Sequence, residues 1–344
     1  MKASYFKYIL HFKQPSGTSR GILTDKETWF IILEKDGKRG IGECGILRGL
    51  SIDDRPDYEE KLKWTCENIH LGEQKIWELL VEFPSIQFGI EMAFQSLKSE
   101  NPFELFPSDF TKNTQCISIN GLIWMGDEAF MKAQIESKIQ QGFHCIKLKI
   151  GAIDFDKELD LLRFIRVNFD ENTIEIRVDA NGAFDSNDAL FKINQLSGFK
   201  LHSIEQPIKK NYTDIMSVLC KSTPIPIALD EELIGVFSFE NKQELLQKIK
   251  PQYIVLKPSF IGGFRGTLEW ISLAEKFNIG WWITSALESN VGLNAIAQFT
   301  FLQNNLMPQG LGTGSLYTNN FDCPLTVSNG QLWYDKTKNW NFTL

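Results

Sequence analysis

Three acidic residues, Asp179, Glu205 and Asp230, each close a short apolar run of sequence, and lysines close the runs on either side of them. Lys147 and Lys149 end the run that begins at Cys145; Lys257 ends the one that begins at Tyr253; Ser285 and Glu288 follow the next. Any one of these on a loop would be ordinary surface charge. Jointly, if the runs are successive parallel strands, the three carboxylates point to a common centre. An all-oxygen ligand set favours a hard cation, Mg²⁺ with Mn²⁺ as a substitute, at about 2.0 to 2.1 Å. Zinc would want histidine or cysteine. The chain has four histidines, and only His202 falls in these runs, at a start rather than an end, where packing or a hydrogen bond is the expected role.

Lys147 and Lys149 are two apart, so on a strand they share one face. Burying two ammonium groups costs several kcal/mol unless it is offset. A nearby cation and each lysine's effect on the other both favour the neutral amine, which can then accept a proton. Lys257 arrives from the opposite wall. A carboxylate held on the metal between them would have its α-hydrogen acidified, because the cation stabilises the enediolate formed on proton removal. The chemistry these residues suit is α-proton abstraction from a carboxylate substrate.

Such convergence needs a scaffold. Apolar runs at 116–120, 145–149, 174–179, 202–205, 225–230, 253–257, 281–284 and, more weakly, 310–313 recur at intervals of roughly 23 to 30 residues, separated by segments of helical period. Eight such units predict an α/β fold of the (β/α)7β TIM-type barrel class. A doubly wound sheet would want a glycine-rich phosphate turn after its first strand, and Gly121-Leu122-Ile123-Trp124 does not supply one. The chain before the barrel predicts strands over 3–13 and 28–34, a hairpin turn at Asp36-Gly37 and helices over 57–70, 73–82 and 86–98. The expected division is an α+β capping domain over residues 1–112, the barrel over 113–315, and a tail over 316–344 whose short strands pair with the amino-terminal sheet. Residues 14–27 are small and polar enough for a mobile loop.

The 344 residues carry 36 basic and 43 acidic side chains, a net charge of −7, so no basic surplus exists to bind nucleic acid or an anionic membrane surface. Six scattered cysteines without a C-x-x-C pair fit packed thiols. With no long apolar span and a lysine at position 7, the expectation is a cytoplasmic protein with a small-molecule substrate. Oligomeric state is not legible from the sequence.

The segments Ile146-Lys147-Leu148-Lys149, Val178-Asp179-Ala180-Asn181-Gly182, Ile204-Glu205-Gln206-Pro207, Ala228-Leu229-Asp230-Glu231 and Leu256-Lys257-Pro258 resemble, in order and spacing, the enolase superfamily, in its muconate-lactonising-enzyme-like group. Thr284-Ser285-Ala286-Leu287-Glu288-Ser289-Asn290-Val291-Gly292 and Pro84-Ser85-Ile86-Gln87-Phe88-Gly89 are most similar to its o-succinylbenzoate synthase family. That resemblance implies a lyase of menaquinone biosynthesis, in which Lys149 is base and then acid, Lys257 stays cationic, and Lys147 tunes Lys149. It also implies Asn181, Gln206 and Glu231 as partners orienting the ligands. Ser285 and Ser289 become candidates for the substrate's succinyl group, with helix capping as the other reading, and Arg20 belongs to the loop that closes over the site in this family. Related enzymes racemise N-succinylamino acids or epimerise dipeptides on the same frame. The dipeptide epimerases resembled here carry Asp-x-Asp after the eighth strand, where this chain has Gly312-Thr313-Gly314.

Overall fold

The computed structural model describes residues 1–18 and 21–343. The chain opens with a long antiparallel ribbon, β1 (Lys2–Thr18) and β2 (Gly21–Lys35), to which β3 (Lys38–Gly45) adds as the third strand. The predicted turn joins β2 to β3, with φ of 52° at Asp36 and 75° at Gly37, the left-handed pair that a tight hairpin requires. Helices Tyr58–Glu67, Gly72–Leu79 and Pro84–Lys98 follow. The last lies almost backbone to backbone on β3, because a Cβ added to Gly42 would strike the Gly89 carbonyl.

The segment read as a loop over residues 14–27 is instead largely paired. Its ends extend β1 and β2, with Ser16 opposite Leu23 and a register shift between His11 and Ser16. Polar composition misled here because the ribbon is exposed on much of its surface, so apolar alternation was not needed to hold it. Ser19, Arg20 and Leu344 lie outside the described residues.

The second sheet is parallel and built in chain order from β5 (Gly121–Ile123), β6 (Cys145–Lys149), β7 (Glu175–Asp179), β8 (Ser203–Glu205), β9 (Ile227–Leu229), β10 (Tyr253–Leu256) and β11 (Gly280–Ile283). Residues 309–310 join its two edges. Gly310 donates its N–H to Ile283 and its carbonyl accepts from Ser285, at 2.8 and 3.0 Å, while Gln309 exchanges backbone bonds with Ser118 and Asn120 at 2.8 and 3.0 Å. The curled sheet is thereby closed.

The run 116–120 is shared between two sheets, its end reaching the parallel one where Ile119 bridges Gln309. Its central pair, β4 (Ile117–Ser118), runs antiparallel to β13 (Gln331–Tyr334), which pairs with β12 (Leu325–Ser328). The tail strands therefore do not join the amino-terminal sheet as expected; edge positions were open on both sheets, and sequence pattern does not choose between them. Other parts of the tail do reach that sheet. Phe12 bridges Tyr317, and the rings of Phe321 and Phe342 pack on Phe30.

Strand periodicity sorts the barrel residues into two sets. Ile146, Leu148, Ile176, Val178 and Ile204 pack in one core cluster with Leu161, Leu162 and Ile165 of helix Phe155–Asn168. The alternate positions Lys147, Lys149, Asp179 and Glu205 face the interior, in register from β6 to β8. Ala228, Val255 and Trp282 form a separate cluster, each two residues before Asp230, Lys257 and Thr284. A packed layer thus underlies the charged one.

Two buried glutamates tie the amino-terminal part to barrel helices. Glu43 on β3 accepts from the backbone N–H of Ser289 and Gly292, at 2.9 and 2.7 Å, at the start of helix Asn290–Leu302. Glu91 accepts the N–H of Phe264 at 2.5 Å at the start of helix Gly263–Lys276. Both place a carboxylate where a helix leaves N–H groups unpaired.

Candidate active site

The strand-end residues come together. Asp179 Oδ2 accepts from Lys149 at 2.7 Å and lies 2.8 Å from the Lys147 ammonium, which also donates to Glu205 Oε2 at 2.5 Å. Across the barrel Lys257 pairs with Asp230. Lys149 makes a further bond to Asn181 Oδ1 at 2.8 Å, and the Asn181 amide donates to Glu231 at 3.1 Å. Gln206 Oε1 accepts the backbone N–H of Asp230 and of Glu232, both at 3.2 Å, and fixes the turn that presents Asp230. Asn181 and Gln206 have positive φ, 45° and 37°, so both sit where the chain leaves its strand at a sharp angle.

A cavity opens above these groups, lined by Lys147, Lys149, Asn181 and Lys257 together with Ser285, Gly310, Gly312 and Thr313. Apolar side chains line it as well, Leu23 of β2 and Leu47 and Leu50 beyond β3 from the capping part, and Trp124, Phe260 and Leu287 from the barrel. Arg48 also lines it, bound to Glu27 and Asp54. These residues were not singled out in the sequence, since isolated apolar residues on loops carry no periodic signal. Phe260 had a weak one, lying three residues after Lys257.

Residues 130–337 match the family Enolase C-terminal domain-like, and residues 1–97 match the family MenC, N-terminal domain. An o-succinylbenzoate synthase of Desulfotalea psychrophila is 47% identical, over 96% of this chain and 98% of that one. The chain belongs to the o-succinylbenzoate synthase family of the enolase superfamily. The crystal structure of MenC from Desulfotalea psychrophila superposes with a TM-score of 0.86 at 43% identity, covering 97% of this chain and 99% of that one. More distant family members include the N-succinylamino acid racemase of Thermus thermophilus, 28% identical over 80% of this chain and 75% of that one. A muconate lactonizing enzyme from Pseudomonas fluorescens shares the fold with a TM-score of 0.83 at 23% identity, covering 99% and 96% of the two chains.

Within this family frame the electrostatics separate the lysines. Burial works against the charge on Lys147, but Asp179, Glu205 and Asp230 outweigh it and hold its ammonium above the ordinary lysine range. Two carboxylates touch Lys147 directly, and this pairing favours its ammonium. Burial also depresses Lys149, and there it prevails: Asp179 offsets it only in part, and Lys147 and Lys257 add positive charge nearby. Lys257 is raised, with Asp230 overcoming burial. Asp179 is held well below the carboxylate range by Lys147 and Lys149 despite its burial, whereas burial and the Asp179 charge push Glu205 up to about 8.

The donor set fits a hard divalent cation. Every candidate ligand is a carboxylate oxygen, and Glu205 Oε1 is buried without a hydrogen-bond partner among the described residues, an acceptor that the surrounding ammonium groups leave unused. No three acidic, histidine or cysteine side chains among the described residues stand as a ready-made cage, since Lys147, Lys149 and Lys257 hold these oxygens. A cation would compete with those ammonium groups for the same atoms.

The serines fare differently from expectation. Ser289 is fully buried and caps helix Asn290–Leu302, accepting the Val291 N–H at 3.1 Å and donating to Glu43 at 2.5 Å. It is not among the residues that line the cavity, and its hydroxyl serves as the cap of that helix. Ser285 does line it, but its hydroxyl already donates to Glu288 at 2.6 Å and accepts from Leu287 N–H at 3.1 Å. Arg20 lies outside the described residues. No helix among the described residues is long and apolar enough to cross a membrane.

Proposed function

We propose that this enzyme is a lyase that dehydrates 2-succinyl-6-hydroxy-2,4-cyclohexadiene-1-carboxylate to o-succinylbenzoate and water, in menaquinone biosynthesis. The observation that carries this reading is the pairing of a depressed Lys149 with a cationic Lys257 on one cavity, in a chain 47% identical to an o-succinylbenzoate synthase. Asp179, Glu205 and Asp230 are the residues that would hold a divalent cation, magnesium in this reading with manganese as a substitute. When bound, it neutralises the substrate carboxylate and the charge that builds on it as the α-proton leaves.

Lys149 acts first as base. Its burial keeps the amine able to take the proton from the carbon next to the carboxylate, and Asn181 holds the Nζ in place at 2.8 Å. The same Nζ then returns the proton to the departing hydroxide on the same face of the ring. The electron pair of the broken carbon–hydrogen bond becomes a ring double bond as the carbon–oxygen bond breaks, and one water leaves. Lys257 remains an ammonium, stabilises the developing negative charge from the other wall and offers its charge to the ring face. Lys147, held charged by Asp179 and Glu205, keeps Lys149 the weaker base of the pair and so readier to release its proton.

Racemisation of N-succinylamino acids is the second reading, favoured by Lys149 and Lys257 both lining the cavity, where each could serve as a base on one face. Dipeptide epimerisation is disfavoured, since Gly312-Thr313-Gly314 gives a substrate ammonium no counter-charge. Purified protein assayed with magnesium on the cyclohexadiene acid and on N-succinylamino acids separates them. Rapid dehydration is expected; rapid racemisation without dehydration would overturn the lyase reading.

A further inference from the structure

The substrate proposed above carries a second carboxylate at the end of its succinyl chain. The hydroxyls nearest to hand are already committed. That of Ser285 donates to Glu288 at 2.6 Å, and that of Thr313 donates to Ser285 at 3.0 Å. The three cavity lysines are engaged by Asp179, Glu205 and Asp230 around the place of the ring carboxylate. A dianion needs a further cationic donor on the same cavity.

Arg48 is the one charged side chain that the capping part contributes to the cavity lining among the described residues. It stands on the loop beyond β3, which is fastened on both sides of it. The Leu47 N–H donates to the Ser51 hydroxyl at 2.9 Å, and the Gly49 N–H to Asp54 Oδ2 at 2.7 Å, with Gly49 in the left-handed region at φ 73°. The guanidinium is fixed as well. Its Nε donates to Glu27 Oε2 and its Nη1 to Asp54 Oδ1, both at 2.6 Å, and Nη2 pairs with the same Glu27 oxygen. These contacts use one N–H at each nitrogen, so Nη1 and Nη2 each keep a second N–H for another acceptor. Glu27 also pairs with Lys7, so its charge is shared between two cations. Leu47 and Leu50 line the cavity beside Arg48 and offer apolar surface to the methylenes of a short chain.

We propose that Arg48 binds the terminal carboxylate of the succinyl chain, so that the capping part selects the substrate by its second anionic group. The proposal rests on the functional reading above. Arg48 is a substrate-binding residue, and Glu27 and Asp54 are positioning residues that aim its planar guanidinium at a planar carboxylate.

Two ligands test it on the parent, Arg48→Gln and Arg48→Lys with magnesium present: o-succinylbenzoate, and 2-butanoylbenzoate, which has a methyl group where the first has its terminal carboxylate. Calorimetric titration is expected to show Arg48→Gln binding o-succinylbenzoate at least about tenfold more weakly than the parent, with 2-butanoylbenzoate within about threefold, and Arg48→Lys in between. In steady-state dehydration KM should rise at least about tenfold in Arg48→Gln while kcat stays within about threefold. Thermal melting establishes that each variant is folded. An Arg48→Gln enzyme that binds o-succinylbenzoate like the parent would overturn the proposal, as would one that loses both ligands alike, since a role confined to holding the loop does not distinguish them. A parent that neither dehydrates the acid nor binds o-succinylbenzoate overturns the functional reading and this proposal with it; parental turnover with an unresponsive variant overturns the proposal alone.

Discussion

The carboxylate of Glu43 accepts hydrogen bonds from both the backbone N–H and the hydroxyl of Ser289, at 2.9 and 2.5 Å, across 246 residues of sequence. A strand of the capping sheet thereby completes the amino terminus of a barrel helix. Replacing Glu43 with alanine leaves buried donors from Ser289, Gly292 and Thr28 without that acceptor. Glu43→Ala is expected to lower stability by about 3 kcal/mol, with Glu43→Gln losing less. Urea unfolding checks this, and a parental midpoint in Glu43→Ala would contradict it.

Lys149→Ala deletes the group assigned to carry the proton. Turnover is expected to fall at least about a thousandfold. The fold should survive, because Asp179 keeps its contact with Lys147 at 2.8 Å. Circular dichroism and kcat measured together decide the matter; a folded variant with substantial activity would remove Lys149 from the mechanism.

Chelation offers a separate check on the carboxylate cluster. Treatment with EDTA is expected to abolish turnover and added magnesium to restore it. Because a cation binds the folded state alone, saturating magnesium should also raise the melting temperature. Asp179→Asn and Asp230→Asn should lose that rise. Full turnover after exhaustive chelation would exclude the metal role.

Asp53 should make stability depend on pH. It is buried, with Oδ2 accepting from the N–H and hydroxyl of Ser85 at 2.9 and 2.6 Å, and burial raises its carboxyl to about 6. Below about pH 4 the group is protonated both folded and unfolded and has no effect. As pH rises from about 4 to about 6 the unfolded chain releases the proton while the folded one retains it, so stability falls. Above about 6 the full penalty, about 3 kcal/mol, is present. Asp53→Asn removes the ionisation, so its stability relative to the parent should be greater at pH 7 than at pH 4. Equal differences at the two values would refute the assignment.

Much of the site was legible because a strand repeats every two residues and a parallel barrel gathers its strand ends. Lys147, Lys149, Asp179, Glu205, Asp230 and Lys257 could be read from position in their runs alone, and the structure pairs the carboxylates with the three lysines that line the cavity. The opposite fates of Lys147 and Lys149 could not. They differ in how many carboxylates each touches, which depends on distances between strands some thirty residues apart in sequence. Ser289 shows the same limit, since a serine before a helix can cap it or face a ligand, and only the position of Glu43 settles which.

Residue order by itself determined the alternation of strands and helices, the chemistry of the strand ends and the turn at Asp36-Gly37, because these depend on local period and side-chain type. Tertiary structure alone decided which edge β12 and β13 would join, which apolar side chains line the cavity, and that Glu43 would meet Ser289. Those outcomes turn on packing and charge between segments remote in the chain, and the free energy of such a contact exists only once the backbone has brought its partners within a few ångströms.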